Sequence, residues 1–218
     1  MSRPFVEILS PGGGATVAPR GPYRQLSPEA RAASLIAARS AGPPPDAVWV
    51  FGYASLMWRP CFKPVERREA VLEGYARRFC IWTSLARGTP ERPGLALGLE
   101  AAAGRCPGVA FRLDPAELDE ALEALWEREM VTGIYEPQWL AMETAAGPVT
   151  ALAFVVDRRH RQYAGALPQE TAAAVIAGAN GKFGSCRDYL ANTVSALRAS
   201  GHPDPELEAL LEAVQALP

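Results

Sequence analysis

Glu129 stands in a row of leucines. In "DPAELDEALEALWEREM" the residues Leu118, Leu122 and Leu125 recur at spacings of four and three, the signature of a helix with one buried face. At about 100° per residue, Glu129 lies about 20° from Leu118, whereas Glu127 lies about 180° away. Glu120, Glu123 and Glu127 are therefore expected to face water, and Glu129 to point where the leucines point. Desolvation and the negative end of the helix dipole both penalise its ionised form. Both raise its pKa toward the range in which a carboxylate acts as a general base near neutral pH. The same placement also suits an ion pair with a core arginine, or a helix that frays ahead of Thr132 and Gly133.

The second stretch is "VWVFGYASLMW", Val48 to Trp58, in which a β-branched and aromatic strand runs into small residues and out again. Gly52, Ala54 and Ser55 surround Tyr53 and leave backbone N–H groups open to approach. The backbone N–H groups of Gly52, Tyr53, Ala54 and Ser55 are thus candidates to hold a carboxylate or an oxyanion without a cationic side chain. A tight structural bend accounts for the same composition. Neither phosphate-loop pattern, G-x-x-x-x-G-K-[ST] or G-x-G-x-x-G, is present. A serine-hydrolase elbow fails at Tyr53 and Met57, and His160 and His202 are the only histidines available to a triad.

These candidates need elements to hold them. Residues 1–46 read as an accessory segment: "SPGGGATVAPRGP" as loop or disorder, then a short helix over "SPEARAASLIAARS" with Ser27 as cap and Pro28 in its first turn. The body is expected over 47–218. Strands are predicted at 48–53, 69–83, 95–100, 107–113, 135–143 and 149–157, with one helix at 115–130. Asp114, Pro115 and Glu117 give that helix a cap, a first residue and a capping box. Further helices are expected near 168–179, 186–199 and 204–217, with Gly181 and Gly201 at C-terminal caps. Strands first and helices later make an α+β fold, and six strands with one helical crossover suit a small closed barrel.

Composition bounds the function. The chain has 218 residues, 49% apolar and 21% charged, which fits a soluble globular protein with a sizeable core. A net charge of −2 gives no reason to expect nucleic acid or an anionic membrane as partner. No apolar run approaches the ~20 residues of a membrane span. The opening "MSRPFVEILSPGGG" lacks the apolar core of a secretion signal. Cys61, Cys80, Cys106 and Cys186 form no C-x-x-C pair, so they read as reduced thiols of a cytoplasmic protein rather than as metal ligands.

Six blocks in order carry a resemblance: "VFGYASLMW" (50–58), "GYARRFCIWTSLARGTPERPGLALGL" (74–99), "GVAFRL" (108–113), "WEREMVTGIY" (126–135), "HRQYAG" (160–165) and "GSCRDYLANTVSALRASG" (184–201). Together they resemble the ChaC family of γ-glutamylcyclotransferases, the branch acting on glutathione, over about 50–214. The resemblance implies a compact α+β fold on a small closed sheet with a central cavity. It implies attack of the substrate's α-amine on its own γ-glutamyl carbonyl, giving 5-oxoproline and Cys-Gly from glutathione. The family's catalytic glutamate, in an R-E pair, matches Glu129, and its substrate loop matches Val50 to Ser55. No metal or cofactor is implied.

Around that core, Tyr163 is a candidate to line the cavity with its hydroxyl, though a core tyrosine fits equally. Arg87 is a candidate for the substrate's glycyl carboxylate or a solvated loop arginine, and Arg128 reads as a surface or supporting ion pair. The family usually has Gly at Ala54; if that position demands φ > 0, alanine there is strained by roughly 1 kcal/mol. Other γ-glutamyl amino acids or amines as substrate, or ligand binding without turnover, remain open alternatives.

Overall fold

A computed structural model describes residues 5–9, 15–19 and 23–218. The first half of the chain forms β1 (Phe5–Leu9), β2 (Ala15–Pro19), α1 (Pro28–Ser40), β3 (Trp49–Gly52), β4 (Pro64–Thr83) and β5 (Gly94–Leu113). Next come α2 (Leu118–Glu129), β6 (Tyr135–Thr144) and β7 (Val149–Val156). The chain ends with α3 (Gln169–Gly178), β8 (Asn180–Gly181), β9 (Gly184–Ser185), α4 (Cys186–Ala199) and α5 (Pro205–Gln215). None of the described helices is long and apolar enough to cross a membrane.

Two compact units result. One comprises Arg24–Arg77 and Leu99–Asp157 and holds a closed barrel of strand order β3-β5-β4-β6-β7. β3 pairs antiparallel with β5, from Trp49 opposite Arg112 to Gly52 opposite Val109, and parallel with β7, which closes the ring. β6 and β7 form a long antiparallel ladder from Tyr135–Val156 to Met142–Val149.

The connection from β5 to β6 is α2, and its apolar row explains its position. Leu118, Leu122, Leu125 and Trp126 are buried in one cluster with Val48 and Val50 of the β3 segment and with Leu152 and Phe154 of β7. Trp126 meets Phe154 edge-on at 5.4 Å between ring centroids. Each such side chain contributes about 1.5–3 kcal/mol on burial, so the helix is fixed in rotation and its last turn is aimed. Helix α1 belongs to this unit: Ser34 accepts from the Trp126 indole, and the Ala38 carbonyl accepts from Trp139. Ser27 caps it, accepting from the Ala30 N–H.

The other unit comprises the described part of Met1–Tyr23, together with Arg78–Gly98 and Arg158–Pro218. β1 and β2 form an antiparallel hairpin. Helix α4, capped by Ser185, buries Cys186, Tyr189, Leu190, Val194 and Leu197. Arg187 donates to the carbonyls of Ala177, Val214, Leu217 and Pro218, which staples the C-terminus.

Several expectations change. The loop expected over "SPGGGATVAPRGP" falls partly outside the described residues, and within it Ala15–Pro19 is a strand. The strands predicted at 95–100 and 107–113 are one continuous strand, and β4 begins at Pro64 rather than near 69. Asp114 caps a 3-10 turn, Pro115–Glu117, through the Ala116 N–H; α-helical geometry starts at Leu118. Helix α3 ends at Gly178 with Ala179 as its cap, so Gly181 serves the β8–β9 hairpin instead. Gly201, at φ 73°, does follow α4 as expected.

Candidate active site

The last helical residue of α2 is Glu129. Its side chain is 16% exposed, while Glu120, Glu123 and Glu127 are exposed, as the leucine row requires. Burial pushes the Glu129 pKa up; the charge and hydrogen bond of Arg128 pull the other way.

Arg128 is the residue that the helical pattern undervalues. It leaves the helix about 80° from Leu118, yet its long side chain folds back over the helix end. Nε stands 3.1 Å from Glu129 Oε1, Nη2 donates to Ser55 Oγ at 2.9 Å, and Nη1 donates to the Arg59 carbonyl. One guanidinium therefore joins the carboxylate of α2 to the loop after β3. The R-E adjacency was visible in the sequence, but not the reach to Ser55.

The loop itself is shaped from below. Tyr53 and Ala54 bend the chain out of β3, and Ser55–Met57 makes a 3-10 turn closed by the Met57 N–H to the Ala54 carbonyl. Tyr53 is buried and donates its hydroxyl to the Phe154 carbonyl at 3.2 Å, so it anchors the loop. Arg77, also buried, donates to the carbonyls of Tyr53 and Pro107. In a trans peptide the carbonyl and the following N–H point opposite ways, so Arg77 aims the Ala54 N–H away from itself. Among the described residues the backbone N–H groups of Ala54 and Ser55 have no acceptor. A Cβ on Gly108 would stand 2.5 Å from the Gly52 carbonyl oxygen, so only glycine lets β5 run this close to the base of the loop. Sequence reading missed both Arg77 and Gly108 as supports.

Ala54 has φ −140°, and no residue other than glycine has a positive φ among the described residues. The strain expected if that position required a left-handed backbone is absent. Val50, Phe51 and Gly52 are buried in β3 and form the base of the loop; Ala54 is buried as well, and Ser55 is half-buried.

Cys61 lies beside the pair. Burial pushes its thiol up; the Arg128 charge lowers it and the Glu129 charge raises it. All four cysteines carry free thiols. Tyr163 belongs to the other unit, where it bridges to Ile81 and donates its N–H to the His160 carbonyl. Arg87, in that same unit, is not a solvated loop residue: it is buried, bound to the Phe183 carbonyl and stacked over Tyr189 at 5.0 Å.

An ionisable carboxylate, a guanidinium and two open N–H groups thus share one region of the barrel unit. That set can take a proton from an amine and hold a developing oxyanion. No group of three or more potential metal ligands occurs among the described residues.

A family model described as "ChaC-like protein" matches residues 48–217. The glutathione-specific gamma-glutamylcyclotransferase of Escherichia coli is 39% identical over 192 residues, covering 88% of this chain and 83% of the relative. Glutathione-specific gamma-glutamylcyclotransferase 1 of mouse is 34% identical over 179 residues, covering 79% and 80%. A crystal structure of a yeast gamma-glutamyl cyclotransferase specific to glutathione superposes with a TM-score of 0.71 at 23% identity. It covers 77% of this chain and 95% of that one, a likeness that speaks to the fold.

Proposed function

This chain belongs to the ChaC-like family, and on that premise we propose that it is a γ-glutamylcyclotransferase whose substrate is glutathione. The identity to relatives of that name supports the substrate. The observation that carries the mechanism is the Glu129–Arg128–Ser55 connection, which brings a desolvated carboxylate to the edge of a loop with open N–H groups.

The α-ammonium of the γ-glutamyl group gives a proton to Glu129. The freed amine attacks the γ-carbonyl carbon, forming the ring C–N bond and a tetrahedral oxyanion. Collapse breaks the bond to the cysteinyl nitrogen, which takes the first proton back from Glu129; the ring nitrogen sheds its second proton as the lactam forms, and the departing amine takes that one up and leaves as an ammonium. The products are 5-oxoproline and Cys-Gly, with no net uptake of water, electrons or protons. Because nucleophile and electrophile are one molecule, a site that holds the chain folded supplies much of the rate. The N–H groups of Ala54 and Ser55 face the carboxylate or the oxyanion of that folded chain. Val50, Phe51, Gly52 and Tyr53 hold the loop for it. Tyr163 is retained as a ligand-binding candidate in its own right. The four free thiols support a reducing, cytoplasmic setting.

The test is to incubate the purified protein with glutathione and measure 5-oxoproline and Cys-Gly by mass spectrometry. Both products are expected from the wild type. Glu129→Gln is expected to lose about 10²–10⁴-fold in turnover while staying folded, and Glu127→Gln to lose little. Release of 5-oxoproline only from another γ-glutamyl compound would move the substrate assignment. Binding without any product would make the chain a ligand-binding protein.

A further inference from the structure

We propose that Arg128 is a positioning residue for this reaction: by spanning Glu129, Ser55 and the Arg59 carbonyl it locks the base and the substrate loop into one arrangement. The inference rests on the cyclotransferase reading above and adds a residue to it.

Three contacts carry it. Nε meets Glu129 Oε1, Nη2 meets Ser55 Oγ, and Nη1 meets the Arg59 carbonyl. A planar fork with fixed donor directions sets the separation of its three acceptors, which a lysine ammonium on a flexible stem does not do. Among the described residues the second carboxylate oxygen of Glu129 has no partner, so it is the one open to an incoming amine. The Ser55 hydroxyl accepts from Arg128, which leaves its own proton to donate to another acceptor.

Arg128 also acts on charge. The groups facing Glu129 are Arg128, which favours the carboxylate, and the Cys61 thiol, which is neutral at ordinary pH because burial raises its pKa. Burial alone would leave Glu129 protonated over more of the pH range and unable to accept a proton. The guanidinium keeps it ionised to lower pH. Removing the charge therefore raises the Glu129 pKa further, and the acidic limb of kcat/KM moves to higher pH.

Two substitutions separate position from charge, each measured on folded full-length protein with glutathione across the pH range. Arg128→Gln is expected to lose about 10²-fold in kcat, with the acidic limb displaced upward. Arg128→Lys is expected to lose a similar factor in kcat, with the limb near its wild-type position, because charge is kept and geometry is not. A merely structural arginine would lower the melting temperature of both and leave the limb unmoved, which overturns the proposal. Wild-type kcat in either variant also overturns it. If Arg128→Gln does not fold, Arg128→Lys decides through its kcat alone. Inactive wild-type protein would instead sink the cyclotransferase reading, so the two failures are distinguishable.

Discussion

Replacing Arg77 with methionine keeps the length of the side chain and removes the fork beneath the substrate loop. In the native protein that fork supplies donors to the carbonyls of Tyr53 and Pro107, and its residue is 6% exposed. In Arg77→Met both carbonyls face an apolar thioether. A buried acceptor stripped of its partner costs about 1–3 kcal/mol, so the pair amounts to about 2–6 kcal/mol. Part is offset because a cation no longer has to be desolvated. For a chain of this size about 1 kcal/mol corresponds to about 2–4 °C, which gives a fall of about 5–15 °C in the melting temperature. The loop should suffer more than the barrel. Once the Tyr53 carbonyl is released, the peptide that aims the Ala54 N–H can rotate. We expect kcat/KM for glutathione to drop about tenfold or more at temperatures where the variant remains folded. Thermal unfolding by circular dichroism and steady-state kinetics at 20 °C measure the two effects. A melting temperature within about 2 °C of wild type, together with unchanged kcat/KM, would refute the reasoning: the loop would then be held by Tyr53 and its 3-10 turn alone.

Cys61 should react with iodoacetamide at neutral pH more slowly than a free thiol and accelerate only in alkali, because burial favours its protonated form. Peptide mapping by mass spectrometry follows that single site, and labelling at the rate of free cysteine at pH 7 would count against the environment described for it.

How much of this was legible in the sequence depends on where the apolar signal lies. The α2 row and the β6 and β7 strands bury hydrophobic residues on a regular period, and their boundaries fall within a few residues of those expected. β4 begins earlier than its apolar pattern because "PVERRE" puts four charged residues in a row, which carry no apolar period. There Glu66 pairs with Arg68 and, across the strands, with Arg112. The middle of β5, "EAAAGR", has small and largely exposed residues that carry no strand period, so continuous backbone pairing reads as two strands. The site shows the same division. Glu129 was legible because a helix converts spacing into direction. Arg128 and Arg77 were not, because a guanidinium sits at the end of a long flexible stem, and which carbonyl or hydroxyl it finds depends on tertiary packing.

The proposed chemistry asks two opposite things of one carboxylate. It must be ionised to take a proton from an ammonium, and it must be acidic only weakly enough to hold that proton until the cysteinyl nitrogen leaves. An exposed glutamate meets the first demand and is a poor donor for the second at neutral pH; a glutamate buried alone would fail the first. At the end of α2, burial and the helix terminus raise the pKa while Arg128 lowers it. Because the result is a balance of opposed effects, changes at position 128 should move the pH profile. Changes in the loop at 54–55, which act through N–H groups without titratable charge, should move KM and kcat at fixed profile. The barrel's own arginine at 77 belongs with the second group, since its donors reach carbonyls rather than Glu129. Profile shifts and binding losses should therefore sort with the two arginines that flank the loop, one acting on charge and position, the other on position alone.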